Sequence, residues 1–271
     1  MTGEHIWSDW TKKFLVTPVS RTEQARNFVD KDGNPIPDVP LHIRPGAVHR
    51  RQARIVCREC NNGWMRAIVD AARPSAEMLI TGQVIKLGSQ EQAALANWMA
   101  LSSIIVNRET RSRHKLPDAD IKYMYEHHAV PPNNWHIDIG YYFYRQASDF
   151  SDNLLALSFR NTITGEYKTS FVAHSTATIL GHLYIKFYRA EPVDPRFPSG
   201  DPFPRNLHSP WLTPLWPRLF PIIEFPPAPN RFIPGALRPK GGFAYELNLW
   251  VRQYMQRTFE RTHLMAQSKT L

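Results

Sequence analysis

The sequence predicts an α+β protein, and three observations carry that prediction. Apolar residues recur at helical spacing through residues 62–72 and 89–109. From residue 135 the pattern turns to β-rich runs rich in aromatic and branched residues. The connections between those runs are short, which implies an antiparallel sheet rather than crossover units.

The elements follow in chain order. Residues 30–46, "DKDGNPIPDVPLHIRPG", are rich in Pro, Gly and Asp and read as a loop or hairpin connection. "ARIVC" (53–57) is a short strand. "NGWMRAIVDAA" (62–72) places Trp64, Ile68 and Ala72 on one helical face, and Arg73–Pro74 reads as its end. "SQEQAALANWMALSSIIVNRE" (89–109) is a helix with Ser89 as N-cap and Glu91 in the first turn. "DADIKYMYEHH" (118–128) is a shorter helix, and His127 and His128 suit its C-terminus. Strands are expected at 135–145, 153–161, 166–175 and 177–189, with "TITG" as the turn of one hairpin and His174 and His182 as sheet residues. Residues 191–240 hold fourteen of the 23 prolines. Their Trp211, Trp216, Phe220, Ile222, Ile223 and Phe225 are too apolar for a free linker, so an irregular segment wrapped over the sheet is expected. "FAYELNLWVRQYMQRTFERTH" (243–263) reads as a closing helix. The division that follows is a small module, 1–73, and a larger α+β domain, 74–271.

Bulk properties bound the function. A chain of 271 residues with 42% hydrophobic and 21% charged residues can bury a sizeable core. No apolar run has the length of a membrane span, so no membrane partner is expected. The first residues, "MTGEHIWSDW", lack a basic start followed by an apolar stretch. Two cysteines three residues apart make no disulfide framework, which points to a cytoplasmic protein with reduced thiols. The formal charge of +9 points to an anionic partner such as nucleic acid.

The chemistry concentrates at the N-terminus. Cys57 and Cys60 form a CxxC at a strand-to-helix junction, which is half of a tetrahedral zinc site. The spacing also serves thiol–disulfide redox, which needs an exposed, acidic thiol at a helix start; the βαβ surroundings typical of that use are missing. "GEHIW" (3–7) adds an imidazole preceded by a carboxylate, and Asn61 follows the CxxC directly. An imidazole can deprotonate water near neutral pH. A carboxylate and an amide oxygen can hold a hard divalent cation against a phosphate. "HRRQARIVCR" brings Arg50, Arg51, Arg54 and Arg58 beside this set, and guanidinium groups suit bidentate phosphate contacts.

"EHIWSDW" followed by "VCRECNNGWM" resembles the HNH endonucleases, in particular the phage and bacterial proteins that carry EHxxxxW and VCxxCNxGWM. The likeness extends more loosely through "GQVIKLGSQEQAALANWMALSSIIV" to about residue 140. It implies an N-terminal ββα-metal, treble-clef-like module and a metal-dependent nuclease acting on DNA. It further implies His5 as general base, Glu4 and Asn61 as ligands of Mg2+ or another divalent ion, and Trp10 and Trp64 as packing residues. Two departures are plain. Many such proteins carry a second CxxC upstream of the histidine, and Met1–Glu4 contains none. The middle Asn of the motif has no match, and Gln52 or His49 stands in that neighbourhood. Three readings of Cys57 and Cys60 stay open: a vestige packed as small apolar residues, a Zn2+ site completed by His42 or His49, or one zinc shared between two chains of a homodimer. Two functions stay open with them, a nuclease or an inactive HNH-derived protein kept for nucleic-acid binding or assembly.

Overall fold

The computed structural model describes residues 2–5, 8–14, 52–109, 115–128, 130–142, 148–160, 167–192, 212–217 and 220–227. The loop expected at 30–46, the "TITG" turn and the helix expected at 243–263 lie outside these residues, as do His42, His49, Arg50 and Arg51. The class is α+β, helices with antiparallel sheet.

β1 (Thr2–His5) pairs antiparallel with β2 (Gln52–Val56). After β1 a short 3-10 turn, Asp9–Phe14, presents Trp10 to Trp98 at 5.6 Å between ring centroids. β2 leads into α1 (Arg58–Cys60), which continues through a wide turn, Asn61–Met65, into α2 (Arg66–Thr81). The helix therefore does not end at Arg73–Pro74. Pro74 lies on the exposed side of α2, where the carbonyl of Asp70 that loses its amide partner can turn to water. The opposite face, Ile68, Ala72, Ala76, Leu79 and Ile80, is buried and holds the helix together across the proline. The expected division at 73/74 thus falls inside a helix. α2 stops at Gly82, whose left-handed φ of 74° lets its N–H and that of Gln83 reach back to Leu79 and Met78.

β3 (Ile85–Leu87) precedes α3 (Ser89–Glu109). Ser89 is the first helical residue rather than the cap. The carbonyl of Gly88 accepts the Gln92 N–H at 3.0 Å, and the Gln92 side chain donates to the Leu87 carbonyl at 2.8 Å. Every residue from Trp98 to Asn107 is buried, so α3 runs through the core instead of along its surface. The helix end is tied down by polar groups. Lys115 donates to the Asn107 carbonyl at 2.7 Å, Leu116 N–H donates to Asn107 Oδ1 at 2.8 Å, and Arg108 pairs with Asp118. Asn107, Arg108 and Lys115 thus cap the helix. α4 (Asp118–Glu126) ends at His127, which stacks on Tyr123.

The main sheet comprises β4 (Trp135–Tyr141), β5 (Ser148–Arg160), β6 (Tyr167–Leu180), β7 (Leu183–Pro192) and β8 (Thr213–Trp216), in the order β5-β6-β7-β4-β8 with every pair antiparallel. The β6–β7 turn falls at Gly181–His182, five residues beyond the break expected at 176, so His182 is a turn residue while His174 stays in its strand. The Pro-rich segment is not wholly irregular: β8 extends the sheet, and β9 (Ile223–Phe225) pairs with β3. Ile137, Ile139, Ile185 and Phe187 share one core with α2 and α3, and a second cluster of Tyr142, Ala177, Ile179, Tyr184 and Leu212 covers the other face. Asp120 anchors α4 to this sheet, accepting from Arg189 Nε at 2.5 Å and Trp135 Nε1 at 2.8 Å. No helix among the described residues is long and apolar enough to cross a membrane.

Candidate functional site

The β1–β2 register sets Glu4 across from Ala53 and His5 across from Gln52. Thr2 pairs with Val56, with one irregularity between Thr2 and Glu4. The strand position of His5 is therefore roughly 16 Å, measured along β2, from Cys57. The register sets Glu4 and His5 beside Gln52, one of the two residues, with His49, that the sequence offers in place of a middle Asn. The structure attaches Asn61 to the other end of the same ribbon.

At that end the chain changes from extended to helical within one residue. Cys57 is the N-cap, with φ −75° and ψ 160°, and its sulfur accepts the Cys60 N–H at 3.2 Å. Its carbonyl accepts the Asn61 N–H at 3.1 Å, which fixes Asn61 at the first turn. Cys57, Arg58 and Glu59 are exposed, and Cys60 and Asn61 are half-buried. Gly63 then departs from helical angles (φ −95°, ψ −113°). Beyond it Trp64 meets Tyr125 edge-on at 5.8 Å, and Met65 enters the core. Trp64 and Trp10 both pack, as the sequence suggests. Tyr125, 61% exposed, carries no local signal in the sequence, because its partner is some sixty residues away.

The two thiols are not equivalent. The Cys57 thiol is held below its ordinary range, first by the hydrogen bond from the Cys60 side chain and then by the Cys60 backbone N–H. The Cys60 thiol moves up, chiefly because it donates to Cys57; the nearby Trp64 indole works the other way from outside ordinary hydrogen-bond geometry.

Arg58 projects at the surface of α1, and Arg54 lies in β2. Among the described residues, no three His, Cys, Asp or Glu side chains gather closely enough to hold a metal ion. The donor chemistry separates the two ions the sequence suggests. A carboxylate, an imidazole and an amide oxygen suit a hard divalent ion such as Mg2+. The thiol pair supplies two of the four ligands of a closed zinc site, and the described residues add no third. No protein-family model matches the chain, and neither a curated protein nor a solved structure matches it.

Proposed function

We propose that this chain is a metal-dependent endonuclease of the HNH type that hydrolyses DNA phosphodiester bonds. One observation carries the reading. The strand bearing Glu4 and His5 pairs antiparallel with β2, and β2 passes through Cys57–Asn61 straight into a helix. That is the strand–strand–helix order which the resemblance of "EHIWSDW" and "VCRECNNGWM" to HNH endonucleases implies. In this reading His5 takes a proton from the attacking water, and Gln52, its register partner in β2, takes the part of the middle Asn. Glu4 and Asn61 would hold Mg2+ or a similar ion, which would supply charge neutralisation at the scissile phosphate; since Asn61 stands at the far end of the ribbon, sharing one ion requires the turn at Asn61 to close toward β1. Arg50, Arg51, Arg54 and Arg58 hold the flanking phosphates, and binding weakens with salt accordingly. The setting that fits two reduced thiols is the cytoplasm.

A second reading has its own support. The helix after the CxxC is built into the main core through Met65, Ile68, Ala72, Ala76, Leu79 and Ile80. A chain that had lost cleavage would therefore still need this module to fold, and would keep it for nucleic-acid binding or assembly. Incubation with supercoiled plasmid and with single-stranded DNA, under Mg2+, Mn2+ or EDTA, separates the two. Metal-dependent cleavage supports the nuclease. Salt-sensitive binding without cleavage under any metal supports the second reading.

A further inference from the structure

Cys57 and Cys60 are the chain's two cysteines, and both are free thiols. The Cys60 backbone N–H donates to the Cys57 sulfur at 3.2 Å, so that sulfur lies directly against Cys60. Cys57 is exposed, whereas Cys60 is half-buried behind it. The exposed sulfur is the one an external disulfide can reach, and its half-buried neighbour is left to resolve the mixed disulfide. A second, independent feature is the chain just after the pair. Gly63 breaks the helix geometry, and a Cβ added there would meet nothing within 4 Å. That leaves room beside the first turn, in which Cys57 faces solvent while Cys60 rests against the core, so bond closure moves the exposed Cys57 and not the packed Cys60.

We propose that Cys57 and Cys60 form a reversible dithiol–disulfide site that exchanges with small disulfides of the glutathione class, Cys57 attacking and Cys60 resolving. The Cys57 thiolate bonds to one sulfur of the external disulfide, whose S–S bond breaks, and the released thiolate takes a proton from solvent. Cys60 then gives its proton to solvent and attacks the Cys57 sulfur, expelling the second external thiol. The external disulfide gains two electrons, and the protein loses two as the Cys57–Cys60 bond forms. This site is independent of the nuclease reading and stands or falls separately.

The test uses the full-length protein in glutathione buffers of graded redox ratio, quenched with acid and followed by intact mass and thiol titration. The wild type is expected to lose both thiols together and two hydrogens in mass, without dimer formation, and to recover them on reduction. Cys60→Ser is expected to accumulate one glutathione on Cys57. Cys57→Ser is expected to be alkylated at Cys60 several-fold more slowly than Cys60→Ser is at Cys57, because Cys60 is half-buried and Cys57 exposed. Should a serine variant fail to fold, the wild-type mass change decides alone. Free thiols persisting in fully oxidised glutathione overturn the proposal. Purified protein that retains zinc, including one ion shared by two chains, and resists both oxidation and alkylation overturns it equally.

Discussion

The helical stretch from Arg58 to Thr81 has two ends built for opposite purposes. At the first, Cys57, Arg58 and Glu59 face solvent, Gly63 leaves helical geometry, and open space surrounds it. At the second, Leu79 and Ile80 are buried and the backbone is locked to the β6–β7 turn. Gly181 takes a φ of 58° there, and a Cβ on it would lie 2.4 Å from the Ile80 carbonyl oxygen, which also accepts the His182 N–H at 3.0 Å. A Cβ on Gly82 would fall 2.8 Å from the His182 ring. One end is thus fixed by close backbone approach, and the other is left with room for chemistry. A rigid element that presents its reactive groups at a loosely packed end can keep them accessible without weakening the core.

Substitutions along this helix test the contrast. Leu79→Ala, which empties a fully buried site, is expected to cost about 2–5 kcal/mol in denaturant unfolding. Gly181→Ala is expected to cost about 1–3 kcal/mol, because the left-handed φ and the approach to Ile80 both oppose a side chain. Near the second end, the Glu77 carboxyl is held below its ordinary value of 4.5, first by the hydrogen bond from Arg73 and further by Lys13, against partial burial. A depressed folded value means that its stabilisation is present above about pH 4.5 and fades as pH falls through the folded value. Glu77→Gln should therefore flatten the acid side of a stability–pH curve, by less than about 1 kcal/mol for a partly exposed pair. Gly63→Ala is expected to change stability by no more than about 0.5 kcal/mol. A large loss there, or none at Gly181, would break the comparison.

What the sequence discloses follows the same physical line. Composition and length reveal α3 and the first strand of the main sheet, since α3 is buried all round from Trp98 to Asn107 and β4 from Trp135 to Gly140. The CxxC marks the strand-to-helix junction because both flanks have a clear period. Pro74 misleads, since local chemistry argues for a stop while the buried face of α2 carries the helix on to Gly82. The β6–β7 turn is hidden for a similar reason: the run from Ser175 to Leu180 is β-prone throughout, and what bends the chain is the packing of Gly181 on Ile80. The pairings of β8 with β4 and of β9 with β3 join residues more than seventy positions apart, and short Pro-flanked runs give no sign of such partners. At the site, residue types were legible and inequivalence was not. Nothing in "CREC" tells which thiol is exposed, or that Cys60 donates to Cys57.

The role proposed for His5 is that of base in a metal-dependent nuclease. It is tested most directly by comparing the wild type with His5→Ala on supercoiled plasmid in Mg2+ or Mn2+, with EDTA as control and thermal unfolding run on both proteins. The expected result is cleavage by the wild type that EDTA stops and that falls by about 10²–10⁴-fold in His5→Ala, at an unchanged melting temperature. Equal cleavage by both proteins, or none by the wild type under either metal, would contradict it.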